Sequence, residues 1–277
     1  MLEQIFIPGS CWIYLKIYTG EKTADNLLTH LILPFTQYLY NEGLISKFFF
    51  VRYADPDFHI RIRFLLNDNN CFNQFYNRLY KIFNPYMRFF QIWRIEISTY
   101  ERENERYGKD NIEDIESLFS IDSIYALYAL RRIKREQTKN SRWKYALLFI
   151  QQTLKAFNLS VEKSCTIFEE MQHNYRLEFG FLDHSIVGQL DNQYRIFRKQ
   201  FEYAIISKDG EFSKRYEEIC PICNRIISRD NNVIIYKDII HMINNRLFIH
   251  SQRQNEMVLY YYLYKSYRSI ISRLSAK

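Results

Sequence analysis

The hydrophobic period changes repeatedly along the first hundred residues, and this change constrains the fold more than any other feature of the chain. Four segments are predicted to be strands: 12–18, 58–66 and 90–99, in which apolar residues recur with a period of two, and the largely apolar 48–53. Two segments between them have helical spacing: 25–41, in which we expect Pro34 to cause a kink, and 70–83. The order β-α-β-β-α-β predicts a ferredoxin-like antiparallel sheet, with the turn Asp55-Pro56-Asp57 joining its middle strands into a hairpin.

Beyond about residue 111 the alternation is replaced by helical spacing. Seven helices are predicted: 112–136, 141–157, 160–172, 185–206, 212–228, 233–249 and 253–274. Only 7 glycines and 5 prolines interrupt the 277 residues, and no linker-like segment separates the two halves. We therefore predict an α+β fold in one domain, residues 1–277, made of a sheet portion (1–108) and a helical portion (109–277).

The third predicted strand carries a row of basic residues on one face. Because side chains alternate along a strand, its apolar residues belong under the helices, and His59, Arg61 and Arg63 project from the opposite face. In the fourth strand, Arg94 and Glu96 fall on that same face. Taken alone, such a row is more often a solvated surface. If the helices of the second half cover it, a cleft lined by arginines forms between them.

The charge of the chain indicates anionic partners. Lys and Arg (38) outnumber Asp and Glu (31), giving a formal net charge of +7, which does not separate RNA from an acidic peptide. No segment has the roughly 20 apolar residues that a membrane span needs, and no signal peptide is recognised, so we expect a cytoplasmic protein.

Cysteine usage and the missing motifs exclude several chemistries. Five cysteines, of which only Cys220 and Cys223 are close in sequence, predict reduced thiols, and a zinc site would normally need a second such pair. Phosphate-binding glycine loops, nucleophile elbows and HExxH motifs are missing from the sequence. We expect neither a metal nor a cofactor.

Five short motifs follow one another along the chain. They are Trp12-Ile13-Tyr14-Leu15-Lys16-Ile17-Tyr18, Phe49-Phe50-Val51-Arg52-Tyr53-Ala54-Asp55-Pro56-Asp57-Phe58-His59-Ile60-Arg61-Ile62-Arg63, Thr99-Tyr100 with Glu103-x-x-Arg106-Tyr107-Gly108, Glu116-Ser117-Leu118-Phe119 with Asp122-Ser123, and His241-Met242 with Asn245-Arg246-Leu247. In these motifs the chain resembles the C-terminal elimination domain of class I lanthipeptide dehydratases, also called the thiopeptide-type bacteriocin biosynthesis domain. Lys109 departs slightly from the family, which often has a second glycine there.

The resemblance implies a lyase that removes glutamate from peptide Ser or Thr side chains esterified with it, leaving dehydroalanine or dehydrobutyrine. It implies catalytic roles for Arg61, Arg63, Glu103, Arg106 and His241. Guanidinium forks suit the carboxylates of a glutamyl group, and a histidine suits removal of the weakly acidic α-proton. Glu103 and Arg106 are expected to pair if their segment is helical. We expect four further basic residues to bind the substrate: Arg52, His59, Arg94 and Arg246.

The implied partners are a glutamylated precursor peptide and a separate glutamylating enzyme that uses glutamyl-tRNA, because the glutamylating domain that usually precedes this one is missing from the sequence. Two other functions stay open. One is a pyridine-forming cyclase of thiopeptide pathways, which has no glutamate to hold. The other is a non-catalytic module that binds a peptide or tRNA through its basic surface. A homodimer is also left open.

Overall fold

The computed structural model describes residues 4–136, 141–180, 184–206, 212–229 and 235–275. The first part of the chain contains β1 (Ile5–Phe6), β2 (Trp12–Tyr18), α1 (Glu21–Leu27), a π-helical segment (Leu28–Ile32), α2 (Leu33–Asn41), β3 (Ile45–Ala54), β4 (Phe58–Leu66), a 3₁₀ turn (Asn69–Cys71), α3 (Phe72–Arg88), β5 (Arg94–Ser98) and β6 (Tyr100–Glu101). Strands β2 to β5 form an antiparallel sheet in the order β3-β4-β2-β5, and β1 pairs with β6. The predicted α+β class and the β-α-β-β-α-β order are confirmed.

Helices α2 and α3 cover one face of this sheet. The ring of Phe64 on β4 lies 5.8 Å from that of Phe35 on α2 and 5.1 Å from that of Phe75 on α3. The π-helical segment directly precedes Pro34, which has no N–H for the helical hydrogen bond to His30. The distortion therefore lies one turn before the proline that was expected to kink the helix. The other face of the sheet is free of α2 and α3.

In the second part of the chain, every described secondary-structure element is a helix. This part contains α4 (Asn104–Tyr107), α5 (Ile112–Glu136), α6 (Ser141–Ala156), α7 (Val161–Glu178), α8 (His184–Ile206), α9 (Ser213–Arg229), α10 (Ile235–Leu247) and α11 (Gln252–Ser275). These bounds agree closely with the seven predicted helices, although α7 continues to Glu178 and residues 233–234 of the sixth predicted helix lie outside the described ranges. Short α4 was not predicted. Within the described ranges, no helix is long and apolar enough to cross a membrane.

Helix α5 packs along the outer edge of strand β3. The backbone N–H of Phe48 donates to Ser120 Oγ, and that of Phe50 donates to Ser123 Oγ, each at 3.1 Å. These serines take the place of a neighbouring strand, because an edge strand otherwise leaves a row of backbone groups without partners. The helical half was expected to cover the open sheet face and leave a cleft. It contacts the sheet at this edge and also reaches the open face, where the ring of Phe49 lies 5.9 Å from that of Phe119 on α5.

Helix α10 continues the same edge toward the end of β3. The side-chain amide of Asn245 accepts from the backbone N–H of Arg52 at 2.8 Å and donates to its carbonyl at 2.9 Å. Arg246 Nε donates to the carbonyl of Phe50 at 3.1 Å. The motif residues of α10 thus fix the helix against the sheet, and they set the position of His241 one turn earlier.

Replacing Asp25 with asparagine should lower the free energy of unfolding by about 3 kcal/mol at neutral pH, because the buried Arg52 guanidinium loses its ion-pair partner at 2.6 Å. Burial opposes ionisation of Asp25, but Arg52 and Arg142 outweigh it and hold the pKa of this carboxyl below its usual range. The wild-type advantage is therefore complete above the ordinary Asp pKa of about 4 and disappears as the pH falls through the lowered folded-state value.

Urea unfolding at several pH values measures this difference, with the exposed Asp110→Asn as the control. Equal stability of Asp25→Asn and the wild type at neutral pH would contradict a stabilising role of the ion pair between Asp25 and Arg52.

Candidate active site

A cavity of about 750 Å³ lies between the open face of strands β3 and β4 and the helices α5, α10 and α11. All five residues that the resemblance marks as catalytic line this cavity: Arg61, Arg63, Glu103, Arg106 and His241. They come from β4, from the α4 segment and from α10, which are separated by up to 180 residues along the chain. The fold therefore brings the motifs together at one site.

Arg61 is held by an aromatic ring and by a buried histidine. Its guanidinium carbon lies 3.4 Å from the centre of the Tyr53 ring, and its Nε donates to His59 Nε2 at 3.0 Å. The other ring nitrogen of His59 lies 2.8 Å from the carbonyl oxygen of Asp57, so Nδ1 carries the proton and Nε2 accepts. Burial lowers the pKa of His59, with a further contribution from Arg61, and keeps the ring neutral.

His59 therefore positions Arg61. It is buried and does not line the cavity, and the expectation that it binds the substrate stays a prediction.

Arg63 lies among three aromatic rings. Its guanidinium carbon is 4.3 Å from the centre of the Tyr14 ring, 4.9 Å from Tyr100 and 5.2 Å from Phe49. Rings of this kind stabilise a cation without occupying its N–H donors. Within the described ranges, Arg63 has no ion pair or hydrogen bond to another side chain, and its buried Nε has no partner.

Arg61 and Arg63 are half-buried and held by aromatic rings. Carboxylates instead pair with three buried arginines, Arg52, Arg102 and Arg215. Among the described residues, the terminal nitrogens of Arg61 and Arg63 have no carboxylate partner. An anion entering the cavity would meet two guanidinium groups with donors available for bidentate bonds.

His241 is backed by a buried carboxylate. Its Nδ1 lies 2.9 Å from Oε1 of Glu256, which is fully buried at the start of α11. Tyr175 donates to the same carboxylate at 2.6 Å and Gln252 at 3.0 Å. Glu256 therefore holds the proton on Nδ1 and leaves Nε2 as the acceptor nitrogen of a ring that lines the cavity. Such an arrangement also stabilises the imidazolium that forms when Nε2 takes a proton.

The sequence analysis missed Glu256. Glutamate and histidine are 15 residues apart and lie on different helices, so no helical or strand spacing relates them. Only the turn between α10 and α11 brings them into contact.

Replacing Glu256 with glutamine should lower kcat of the proposed reaction by at least about 100-fold and leave KM unchanged, because the neutral amide neither fixes the Nδ1–H tautomer nor stabilises the imidazolium. Steady-state kinetics measure both constants. Glu169→Gln is the matched control, since Glu169 also accepts from a tyrosine, Tyr264 at 2.8 Å, away from the cavity. A folded Glu256→Gln variant with unaltered kcat would exclude this role.

Arg106 is paired with two carboxylates. Its Nη1 lies 3.3 Å from Glu103, which confirms the expected i,i+3 pair, and its Nη2 donates to Asp238. The hydrogen bond to Asp238 raises the pKa of Arg106 above its usual range. Asp238 lies one turn before His241 on α10, so Arg106 connects the α4 segment to the helix that carries the histidine. Two carboxylates thus face its single positive charge, unlike those of Arg61 and Arg63.

Three arginines assigned to substrate binding have other roles. Arg246 is fully buried outside the cavity and donates to Phe50 and Ser123; burial lowers its pKa to about 10. Arg52 borders the cavity, but its guanidinium is buried against Asp25 and the backbone of Arg246. Arg94 lies outside the cavity, 3.2 Å from Glu96. Of the three, only Arg52 borders the cavity, and substrate contacts of Arg52, Arg94 and Arg246 stay a prediction.

The cavity of this α+β scaffold thus contains two arginines without a carboxylate partner among the described residues, together with a histidine held by a buried carboxylate. The family model described as the lantibiotic biosynthesis dehydratase C-terminal region matches residues 12–267, and the chain belongs to this family.

Two curated relatives are much longer than this chain. The chain is 26% identical over 272 residues to the nisin biosynthesis protein NisB of Lactococcus lactis subsp. lactis, covering 95% of this chain and 26% of that protein. It is 28% identical over 187 residues to the subtilin biosynthesis protein SpaB of Bacillus subtilis, covering 64% and 17%. The chain thus spans about a quarter or less of the length of these relatives.

Solved structures share the fold. The tRNA-dependent lantibiotic dehydratase MibB from Microbispora sp. 107891 superposes with a TM-score of 0.74 at 18% identity, covering 96% of this chain and 29% of that one. The pyridine synthase TbtD from thiomuracin biosynthesis superposes with a TM-score of 0.66 at 12% identity, covering 97% and 99%. At such identities the likeness concerns the fold alone.

Proposed function

We propose that the protein is a lyase that eliminates glutamate from glutamylated Ser or Thr residues of a ribosomally made precursor peptide in lantibiotic-type biosynthesis. The observation that carries the proposal is the pair Arg61 and Arg63, whose terminal nitrogens have no carboxylate partner among the described residues, in one cavity with His241. A glutamyl ester carries one carboxylate, and its departure releases a second. Two arginine forks match that charge.

The elimination needs one base and no added reactant. His241 Nε2 takes the α-proton of the modified residue, the C–H electrons form the Cα–Cβ double bond, and the bond from Cβ to the ester oxygen breaks. Glutamate leaves with the electron pair as a carboxylate, which binds to the arginines. Glu256 stabilises the resulting imidazolium. Arg106, at the same cavity, offers its remaining N–H donors to the enolate oxygen that develops in the peptide.

The relatives support this biological setting. Two are biosynthesis proteins of nisin and subtilin, and MibB is described as a tRNA-dependent lantibiotic dehydratase. We propose that this chain acts on a precursor peptide that a separate glutamyl-tRNA-dependent enzyme has glutamylated, in the cytoplasm.

A pyridine-forming cyclase is the second candidate, favoured by the superposition of this chain on 99% of a pyridine synthase. Such a reaction joins two dehydroalanines and releases no glutamate, so it gives Arg61 and Arg63 no anion to hold. The two reactions are distinguished by their substrates.

Mass spectrometry of two incubations tests the proposal. A peptide carrying a glutamyl ester on Ser should lose glutamate without added tRNA, whereas a peptide carrying only dehydroalanines should be unchanged. Conversion of the second peptide alone would favour the cyclase. Tight binding of unmodified peptide or tRNA, with neither peptide converted, would favour a binding module.

A further inference from the structure

Strand β5 ends the sheet on the side opposite to β3. In the order β3-β4-β2-β5, no described strand lies beyond β5. Side chains from α5 and α10 satisfy the backbone of β3, but no described side chain makes a hydrogen bond to an outward-facing backbone group of β5. An edge with unpaired backbone donors and acceptors is a template for another strand.

Large apolar side chains are exposed beside this edge. Phe89 is 76% exposed, Phe90 84%, and both Trp93 and Ile97 48%. Four of the eleven exposed large apolar residues of the described chain thus lie within nine residues of one another, between the end of α3 and the end of β5. A concentrated apolar surface of this kind is typical of a contact with another protein.

The side chains of β5 also select a partner. Residues that face each other across an antiparallel pair lie on the same side of the sheet. If two copies of β5 pair about a two-fold axis at Ile95, then Arg94 of each copy faces Glu96 of the other, and Trp93 faces Ile97. If the two-fold axis instead passes through residue 94, the two copies of Arg94 face each other, and if it passes through residue 96, the two copies of Glu96 do. Like charges directly opposite each other are unfavourable.

The strand is therefore complementary to itself in charge and in apolar character. The pairs formed are two opposite-charge pairs on the open face and three apolar pairs on the helix-covered face, of which the Ile95 pair lies on the axis. Arg94 and Glu96 lie 3.2 Å apart within one strand, and Glu96 also accepts from Tyr18 at 3.0 Å. With exposed fractions of 46% and 38%, both side chains are still accessible to a second copy.

We propose that the protein forms a homodimer in which the β5 strands of two copies pair antiparallel about Ile95 and make one continuous eight-stranded sheet. Two-fold contacts of this isologous type are the commonest in soluble oligomers. The cavity lies on the β3 side of each sheet, so it stays open in the dimer, and the dimer does not depend on the proposed reaction.

Charge reversal and mixing test this arrangement by sedimentation over a wide range of concentrations. The wild type should be a dimer. Glu96→Arg and Arg94→Glu should each place like charges opposite one another and raise the dimer Kd by about tenfold or more. An equimolar mixture of the two variants should dimerise again, because every arginine then faces a glutamate of the other variant.

The mixture also serves as the control for folding, since two misfolded variants cannot restore a dimer. A monomeric wild type would overturn the proposal, and the partner of the β5 edge would then be sought in a different protein. Wild-type dimerisation by either single variant, or no association in the mixture of two folded variants, would overturn it as well.

Discussion

Replacing His241 with alanine lowers the rate of glutamate elimination by about 10²- to 10⁴-fold, the usual contribution of a positioned general base, so that glutamylated peptide accumulates. The expectation follows from the position of the His241 ring, which lines the cavity together with Arg61 and Arg63. Because Nδ1 is hydrogen-bonded to Glu256, Nε2 is the nitrogen that can accept a proton. Binding of the glutamylated peptide should change little, since the arginines remain.

His30→Ala is the matched control for this experiment. His30 lies in the π-helical segment before α2, outside the cavity, and contacts Thr29 and the carbonyl of Asn26. Both variants are compared with the wild type by mass spectrometry under single-turnover conditions. Unchanged elimination by His241→Ala would remove this residue from the mechanism and leave the proton to another group.

Replacing both Arg61 and Arg63 with lysine lowers kcat/KM for the glutamylated peptide by about 10³-fold, because each charge-assisted hydrogen bond contributes about 1.5–3 kcal/mol. Lysine keeps the positive charge and loses the planar fork. It also loses the stacking on Tyr53 and on the rings around Arg63. Affinity for the unmodified peptide should be unchanged, because that peptide has no glutamyl carboxylate.

Arg78→Lys is the control for the arginine variants. Arg78 also lies over a tyrosine, Tyr38 at 4.1 Å, and its buried Nε also has no partner, but it lies outside the cavity. Equal losses of affinity for modified and unmodified peptide in the arginine variants would mean that these residues hold the peptide itself rather than its glutamyl group.

The order of strands and helices was predictable because apolar and polar residues alternate along most strands of the sheet. On β4 the alternation assigns Phe64 to the covered face and Arg61 with Arg63 to the open face, and both assignments are confirmed. The same reasoning applies to Tyr14, which lies opposite Arg63 on β2. The contact between Arg63 and an aromatic ring could therefore have been predicted from the sequence, although we did not predict it.

Other features depend on tertiary contacts, which the hydrophobic periodicity of the sequence does not reveal. Short β1 and β6, two residues each, have too little length to show alternation. The placement of α5 and α10 at the edge of β3 follows from hydrogen bonds of Ser120, Ser123 and Asn245, which look like ordinary helix residues in the sequence.

Basic residues near a motif are a poor guide to ligand contacts, as Arg246 illustrates. It follows His241 at a distance that suggests a shared site, but its side chain points into the core and donates to Phe50 and Ser123. Among the motif arginines, the absence of a carboxylate partner within the described ranges separates Arg61 and Arg63 from those with structural roles.

The central claim is that Arg61 and Arg63 hold the glutamyl group while His241 stands at the α-carbon of the modified residue. The most direct test is a crystal structure of the protein with a peptide in which the glutamyl group is joined through a stable amide, so that it cannot be eliminated. We predict glutamyl carboxylate oxygens at hydrogen-bond distance from both arginines, with His241 Nε2 close to the adjacent α-carbon. A glutamyl group bound away from this cavity would contradict the account.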